Sequence, residues 1–205
     1  MAKKYVYSFG RGKAEGQADM KNLLGGKGAN LAEMTNIGVP VPAGFTISTY
    51  ACTEFYKAGG KWPKGLSKQI DDAMSKLEKA MKRKFGDKKD PLLVSVRSGA
   101  RVSMPGMMDT VLNLGLNDDT VHGLVEQGGD LRFAYDSYRR FVQMYGDVVL
   151  GIEHEKFEEI LQKKKDDHKV ELDYELDADA LEELVGEFKE LIEDTTGDPF
   201  PETPK

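Results

Sequence analysis

The chain has 205 residues, 40% hydrophobic and 31% charged, with a formal net charge of -6, proportions normal for one ordinary globular domain or two small ones. It contains no apolar run long enough to span a bilayer, and its first residues lack the apolar core of a signal peptide, which leaves the cytoplasm as the expected location and excludes a membrane partner. A single cysteine, Cys52, excludes an intrachain disulfide framework and fits a reducing compartment. Lying in a predicted helix beside Tyr56, it reads as a small packing residue. The charge is divided by region: residues 151–205 carry 7 Lys+Arg against 19 Asp+Glu, and the first 150 residues carry 22 against 16. The basic part can attract phosphate groups, whereas the acidic part repels them. Nucleic acid is a poor partner, because the basic residues are spread out and not interleaved with aromatics.

In chain order, residues 5–9 alternate as a short strand does, and residues 10–20 have loop composition. Residues 23–34, Leu-Leu-Gly-Gly-Lys-Gly-Ala-Asn-Leu-Ala-Glu-Met, enclose Lys27 between glycines directly before a helical run. Glycines let backbone N–H groups approach an anion, a helix N-terminus adds partial positive charge, and Lys27 adds a full one. A phosphate cradle and a solvated Gly-rich turn both fit this stretch. A Walker A loop does not, since Lys21 stands where its first glycine belongs and Gly28 follows Lys27; nor does the dinucleotide fingerprint, which meets Leu31 at its third glycine.

From Ala29 the positions Leu31, Met34 and Ile37 recur at helical spacing, and Gly38, Pro40 and Pro42 stop the helix. Residues 44–48 are β-like, Thr49 can cap a helix over 50–57, and Gly59-Gly60 ends it. Leu66, Ile70, Ala73, Met74, Leu77 and Met81 stripe a helix over 66–85, with Met74 and Met81 as core residues. The run 92–96, Leu-Leu-Val-Ser-Val, has the composition of a buried strand. Where it gives way to loop stand Arg97, Ser98, Gly99, Ala100 and Arg101, two cations and a hydroxyl at the usual location of ligands on sheet-based folds. The loop 102–110 contains Met104, Met107 and Met108, which are costly to leave exposed, and it reads either as a ligand loop or as a buried connection. Residues 111–114 resume strand character.

Beyond Asn117 the pattern is helical. Asp118 and Asp130 are candidate caps, and the second helix carries Ala134, Tyr138, Phe141, Tyr145 and Val148 in one stripe. Arg132, Arg139 and Arg140 on it could meet a phosphate or simply pair with acids. Phe157, Ile160 and Leu161 mark a further helix, and a last one over 179–193 shows Asp179 and Glu182 at capping-box spacing. Asp173, Glu175 and Asp177 imitate the start of a calcium loop, but Ala178 and Leu184 occupy its glycine and glutamate positions. His122, His154 and His168 lack a partner at metal-ligand or nucleophile spacing and read as surface residues. The expected fold class is α+β: an α+β part over 1–115, then an acidic all-helical subdomain over 116–205.

Residues 23–34, the segment Val-Pro-Val-Pro-Ala-Gly-Phe at 39–45, residues 92–116 around Ser-Val-Arg-Ser-Gly-Ala-Arg, and Arg-Phe-Ala-Tyr-Asp-Ser-Tyr-Arg-Arg-Phe at 132–141 together resemble the pyruvate, phosphate dikinase family. Phosphoenolpyruvate synthase shares the Gly-Gly-Lys and Val-Arg-Ser elements, but Met-Pro-Gly-Met-Met-Asp-Thr at 104–110 is similar to the dikinase. The resemblance implies the first part of an ATP-grasp-like domain in a longer, homo-oligomeric, cytoplasmic enzyme. That enzyme works by relay, with ATP and phosphate at the N-terminal domain, a phosphohistidine domain, and a barrel interconverting pyruvate and phosphoenolpyruvate. It implies that Lys27 and Arg97 contact ATP phosphates, with Ser98, Arg101, Asp109 and Thr110 beside them, and that Mg²⁺ is held by acidic residues outside this chain. The family's phosphohistidine motif has no counterpart here, so an excised, catalytically inactive portion is expected. A non-catalytic module holding a phosphate-bearing ligand or a protein is the alternative.

Overall fold

The computed structural model describes residues 3–99 and 110–203, which form an α+β structure. Packing separates two compact units: 3–82 with Ser98 and Gly99, and Arg83–Arg97 with 110–203. The hairpin around Arg97 thus goes with the helices. The expected division at 115/116 follows element type and charge, which packing does not.

In the first unit, β1 (Val6–Gly10) pairs antiparallel with β2 (Lys13–Ala14) on one side and with β3 (Gly44–Ile47) on the other. The segment expected as plain loop therefore holds a hairpin. Its Arg11-Gly12 turn has both residues at positive φ, as the right-handed twist of the flanking strands requires. Around this sheet lie α1 (Lys21–Asn36), α2 (Thr49–Lys57) and α3 (Leu66–Met81), over a small core of Tyr5, Val6, Ala51, Leu66 and Ala73.

Helix α1 departs from expectation in two ways. It begins at Lys21, not Ala29, and it buries Gly28, Ala29, Ala32 and Thr35, leaving Met34 and Ile37 exposed. Small residues win this face because the helix lies directly on the sheet: a Cβ on Gly28 would stand 2.8 Å from the γ-methyl of Thr46. Helix α3 stops at Met81, before the expected Phe85, because Lys82 adopts the left-handed conformation that ends a helix. Met81 is consequently exposed and Met74 half-buried, so neither is a full core residue; Cys52 is exposed too.

In the second unit, β4 (Val94–Arg97) and β5 (Thr110–Leu114) form a two-stranded antiparallel ribbon. Leu92 is buried, but Val96 is 50% exposed, so the expected buried strand is a half-exposed one. With only two strands, a single face can pack on the neighbouring helix. Then follow α4 (Thr120–Gly128), α5 (Leu131–Met144) with a π-helical turn at Tyr145–Val149, α6 (His154–His168), a 3-10 turn at Asp173–Glu175, and α7 (Ala178–Thr196). Helices α5, α6 and α7 enclose a core in which Phe157 meets Phe188 edge to face, ring centroids 5.1 Å apart.

Asp130 caps α5 as expected, accepting the Phe133 N–H. The other caps shift by one or two residues. Asn117, not Asp118, accepts the N–H of Thr120 at 2.7 Å, and Asp177, not Asp179, accepts that of Ala180. Asp118 instead takes the Tyr138 hydroxyl and the Lys189 ammonium.

Candidate phosphate-binding residues

Lys27 owes its place to a break in α1. Gly25 stands at φ 69° and ψ 170° inside an otherwise helical run, a conformation open to glycine because it lacks a Cβ. One turn, residues 21–24, precedes the break, and the helix resumes at Gly26, putting Lys27 in its new first turn. The expected loop before a helix is therefore a broken helix. The physical consequence is similar, since the first N–H groups of a helix lack intrahelical acceptors and carry the positive end of the dipole. Lys27 is half-buried, and among the described residues it forms no ion pair or side-chain hydrogen bond. Two supports flank it. The helix backbone at Gly28 lies close against Thr46, leaving no room for a Cβ, and the Thr49 hydroxyl donates to the Asn22 carbonyl at 2.6 Å. The cap of α2 is Ser48, whose side chain accepts the Ala51 N–H, and not Thr49 as the sequence suggested.

Arg97 ends β4, directly opposite Thr110 on β5. The register slips between Val94 and Val96, where β5 spends an extra residue and Asn113 takes a positive φ of 59°. Such bulges re-aim the end of a ribbon. The Asn113 amide also reaches the Ser137 carbonyl at 3.4 Å, fastening the ribbon to α5. Arg97 and the following Ser98 are exposed.

Every other described arginine is engaged. Arg11 donates to the carbonyls of Lys79 and Ala80, and Arg83 pairs with Asp90 at 3.0 Å. Arg132 donates to the carbonyls of Leu176 and Asp173. Arg139, almost wholly buried, holds Asp136 at 2.9 Å and Asp173 at 3.0 Å, and Arg140 holds Asp136 at 3.1 Å. The three arginines of α5 thus spend their donors inside the helical part, Arg139 and Arg140 on acids and Arg132 on backbone carbonyls. Among the described residues Arg97 is the only arginine whose side chain has neither an ion pair nor a hydrogen bond.

The structure therefore sets Arg97 opposite Thr110 at one end of the ribbon, while Ser98, the next residue in the chain, belongs with Lys27 to the other unit. Arg101 and Asp109, with most of the Met-rich loop, lie outside the described residues. His122, His154 and His168 are exposed; His154 lies 3.1 Å from Asp147 and 3.5 Å from Glu158, an ordinary surface contact.

Residues 21–64 and 60–145 match the family model described as the pyruvate phosphate dikinase AMP/ATP-binding domain. The chain is 55% identical over 202 residues to the pyruvate, phosphate dikinase of Rhizobium meliloti (strain 1021), covering 98% of this chain and 22% of that protein. It is 53% identical over 203 residues to the enzyme of Clostridium symbiosum, covering 98% and 23%, and 53% identical over 204 residues to the chloroplastic one of Flaveria trinervia, covering 100% and 21%. It spans roughly a fifth of the length of these curated relatives. This chain belongs to the pyruvate, phosphate dikinase family and falls within its AMP/ATP-binding domain.

Proposed function

We propose that the chain is the opening, nucleotide-binding portion of a dikinase that uses ATP and phosphate to phosphorylate a histidine and interconverts pyruvate and phosphoenolpyruvate. The observation that carries this reading is similarity running through almost the whole chain at more than half identity to proteins of that name. The reading makes residues 1–115 the start of an ATP-grasp-like domain, with the acidic helical part over 116–205 inserted after it. The acceptor histidine, the barrel and the subunit contacts of a cytoplasmic homo-oligomer belong to other parts of the parent.

Phosphoryl transfer depends on positioning and on neutralising charge over the transferring oxygens. Lys27 would supply a compact charge and Arg97 a planar fork that matches phosphate geometry. The hydroxyls of Ser98 and Thr110 would donate to phosphate oxygens, with Arg101 and Asp109 assigned to the same group. The residues fit a nucleotide's phosphates because Arg97 and Lys27 spend their charge on no acid among the described residues. Mg²⁺, when bound, would neutralise further charge on those oxygens, with acidic ligands outside this chain.

The test is Arg97→Ala in the full-length enzyme. ATP-dependent phosphorylation of the histidine should be lost while pyruvate–phosphoenolpyruvate exchange persists, because two sites coupled only by a carrier fail separately. Parallel loss of both half-reactions would mean the substitution disrupts folding, and Arg97 would then not be a phosphate ligand.

A further inference from the structure

The Asn22 carbonyl accepts a 2.6 Å hydrogen bond from Thr49, 27 residues further along. In an unbroken helix that carbonyl would accept the Gly26 N–H. Gly25, with its extended ψ of 170°, carries the chain off the helical course, so the carbonyls of the first turn need an outside donor, as those at any helix C-terminus do. Thr49 supplies one. It is free to do so because the fully buried Ser48 performs the capping of α2. Helix α2 is a firm support: Ala51 sits in the core, and the Thr53 hydroxyl closes back on the Thr49 carbonyl at 3.0 Å. On the far side of the break, the resumed helix approaches Thr46 so closely at Gly28 that a Cβ there would stand 2.8 Å from the threonine γ-methyl. Lys27 lies between these anchors, two residues after Gly25 and one before Gly28.

We propose that Thr49 is a positioning residue for Lys27: its hydroxyl holds the broken turn in the one arrangement that places the Lys27 ammonium for nucleotide phosphates. The inference rests on the assignment of Lys27 to those phosphates made above. A hydroxyl that merely stapled α1 to α2 would contribute to stability independently of Lys27. One that positions Lys27 loses its value when the lysine is gone, and a double-mutant cycle distinguishes the two.

The experiment compares Thr49→Val, Thr49→Ser, Lys27→Ala and Thr49→Val/Lys27→Ala in the full-length enzyme, reading kcat/KM for ATP in histidine phosphorylation beside pyruvate–phosphoenolpyruvate exchange. Thr49→Val should lose about tenfold in kcat/KM for ATP, the size of one net hydrogen bond, with exchange unchanged. Thr49→Ser, which keeps the hydroxyl, should stay within about twofold of the parent on the same scale, and the double variant should be no worse than Lys27→Ala. A Thr49→Val enzyme equal to the parent would overturn the inference. So would a Thr49→Ser enzyme as impaired as Thr49→Val, losses that multiply in the double variant, or parallel loss of exchange. If Lys27→Ala itself leaves kcat/KM for ATP unchanged, the phosphate assignment fails and the inference falls with it; if Lys27→Ala is impaired and Thr49→Val is not, only the inference falls.

Discussion

A Cβ placed on Gly28 would lie 2.8 Å from the Thr46 γ-methyl and 3.0 Å from its hydroxyl oxygen, so α1 and β3 meet at a separation only glycine allows. Gly28→Ala should push the helix off the sheet and cost about 1–3 kcal/mol, as overpacking usually does. Gly186 offers the control, since it lies inside α7 with nothing near a Cβ. There alanine should gain about 0.5–1 kcal/mol from helix propensity. Urea denaturation of the two variants should move in opposite directions; movement in the same direction would show that the close approach does not govern Gly28.

Gly146 and Phe157 are coupled in the same manner within the second unit. A Cβ at Gly146 would stand 2.3 Å from the tip of the Phe157 ring, and that ring is completely buried against Phe188. Gly146→Ala alone, and Phe157→Leu alone, should each destabilise, by about 1–3 kcal/mol. Combined, they should cost clearly less than their sum, because the shorter side chain vacates the space the new methyl needs. Strict additivity in denaturation would contradict this packing.

Asp173 ties three elements together, holding Arg139 of α5 at 3.0 Å and Lys165 of α6 at 3.2 Å from its own 3-10 turn. Partial burial pushes its carboxyl upward, but the Lys165 hydrogen bond and the charge of Arg139 outweigh that and hold it below the usual carboxylate range. A lowered folded-state value means that the stabilisation is fully present above the unfolded value of about 3.9 and is lost as pH falls through the folded value. Asp173→Asn should therefore lower the thermal midpoint at pH 7, and the gap to the parent should narrow as the pH is brought toward 3. A gap independent of pH would refute this role.

What the sequence could and could not reveal divides along physical lines. The stripe Leu181, Leu184, Val185 and Phe188 was legible because large apolar side chains at helical spacing do face the core in α7. In α1 the same criterion chose Leu31, Met34 and Ile37, of which the first is half-buried and the other two exposed, because the face that this helix lays on the sheet is built mostly of Gly28, Ala29, Ala32 and Thr35, small residues that carry little hydropathy signal. Arg97 was legible as a cation at a strand end. That Arg132 and Arg139 tie distant segments together was not, for apart from close neighbours such as Asp136 beside Arg139 their partners lie more than thirty residues later at Asp173 and Leu176. The adjacent hydroxyls of Ser48 and Thr49 are equivalent as caps in sequence; only the fold gives one to α2 and the other to Asn22.

The last prediction concerns the 205-residue chain alone: it should bind Mg-ATP in the millimolar range or more weakly, and it should transfer no phosphate. In the proposed reading Lys27 and Arg97 supply positive charge, but the Mg²⁺ ligands lie in other parts of the parent. Losing contacts worth about 4 kcal/mol weakens affinity roughly a thousandfold, which turns a micromolar site into a millimolar one. Phosphate transfer is expected to be absent for a separate reason, since His122, His154 and His168 are exposed residues of the helical part and none lies on the ribbon end that carries Arg97. Titration calorimetry with Mg-ATP, run beside Lys27→Ala, decides the matter. Micromolar binding abolished by that substitution would show that the first unit holds the nucleotide unaided, and the division of labour between this chain and the rest of the parent would have to be redrawn.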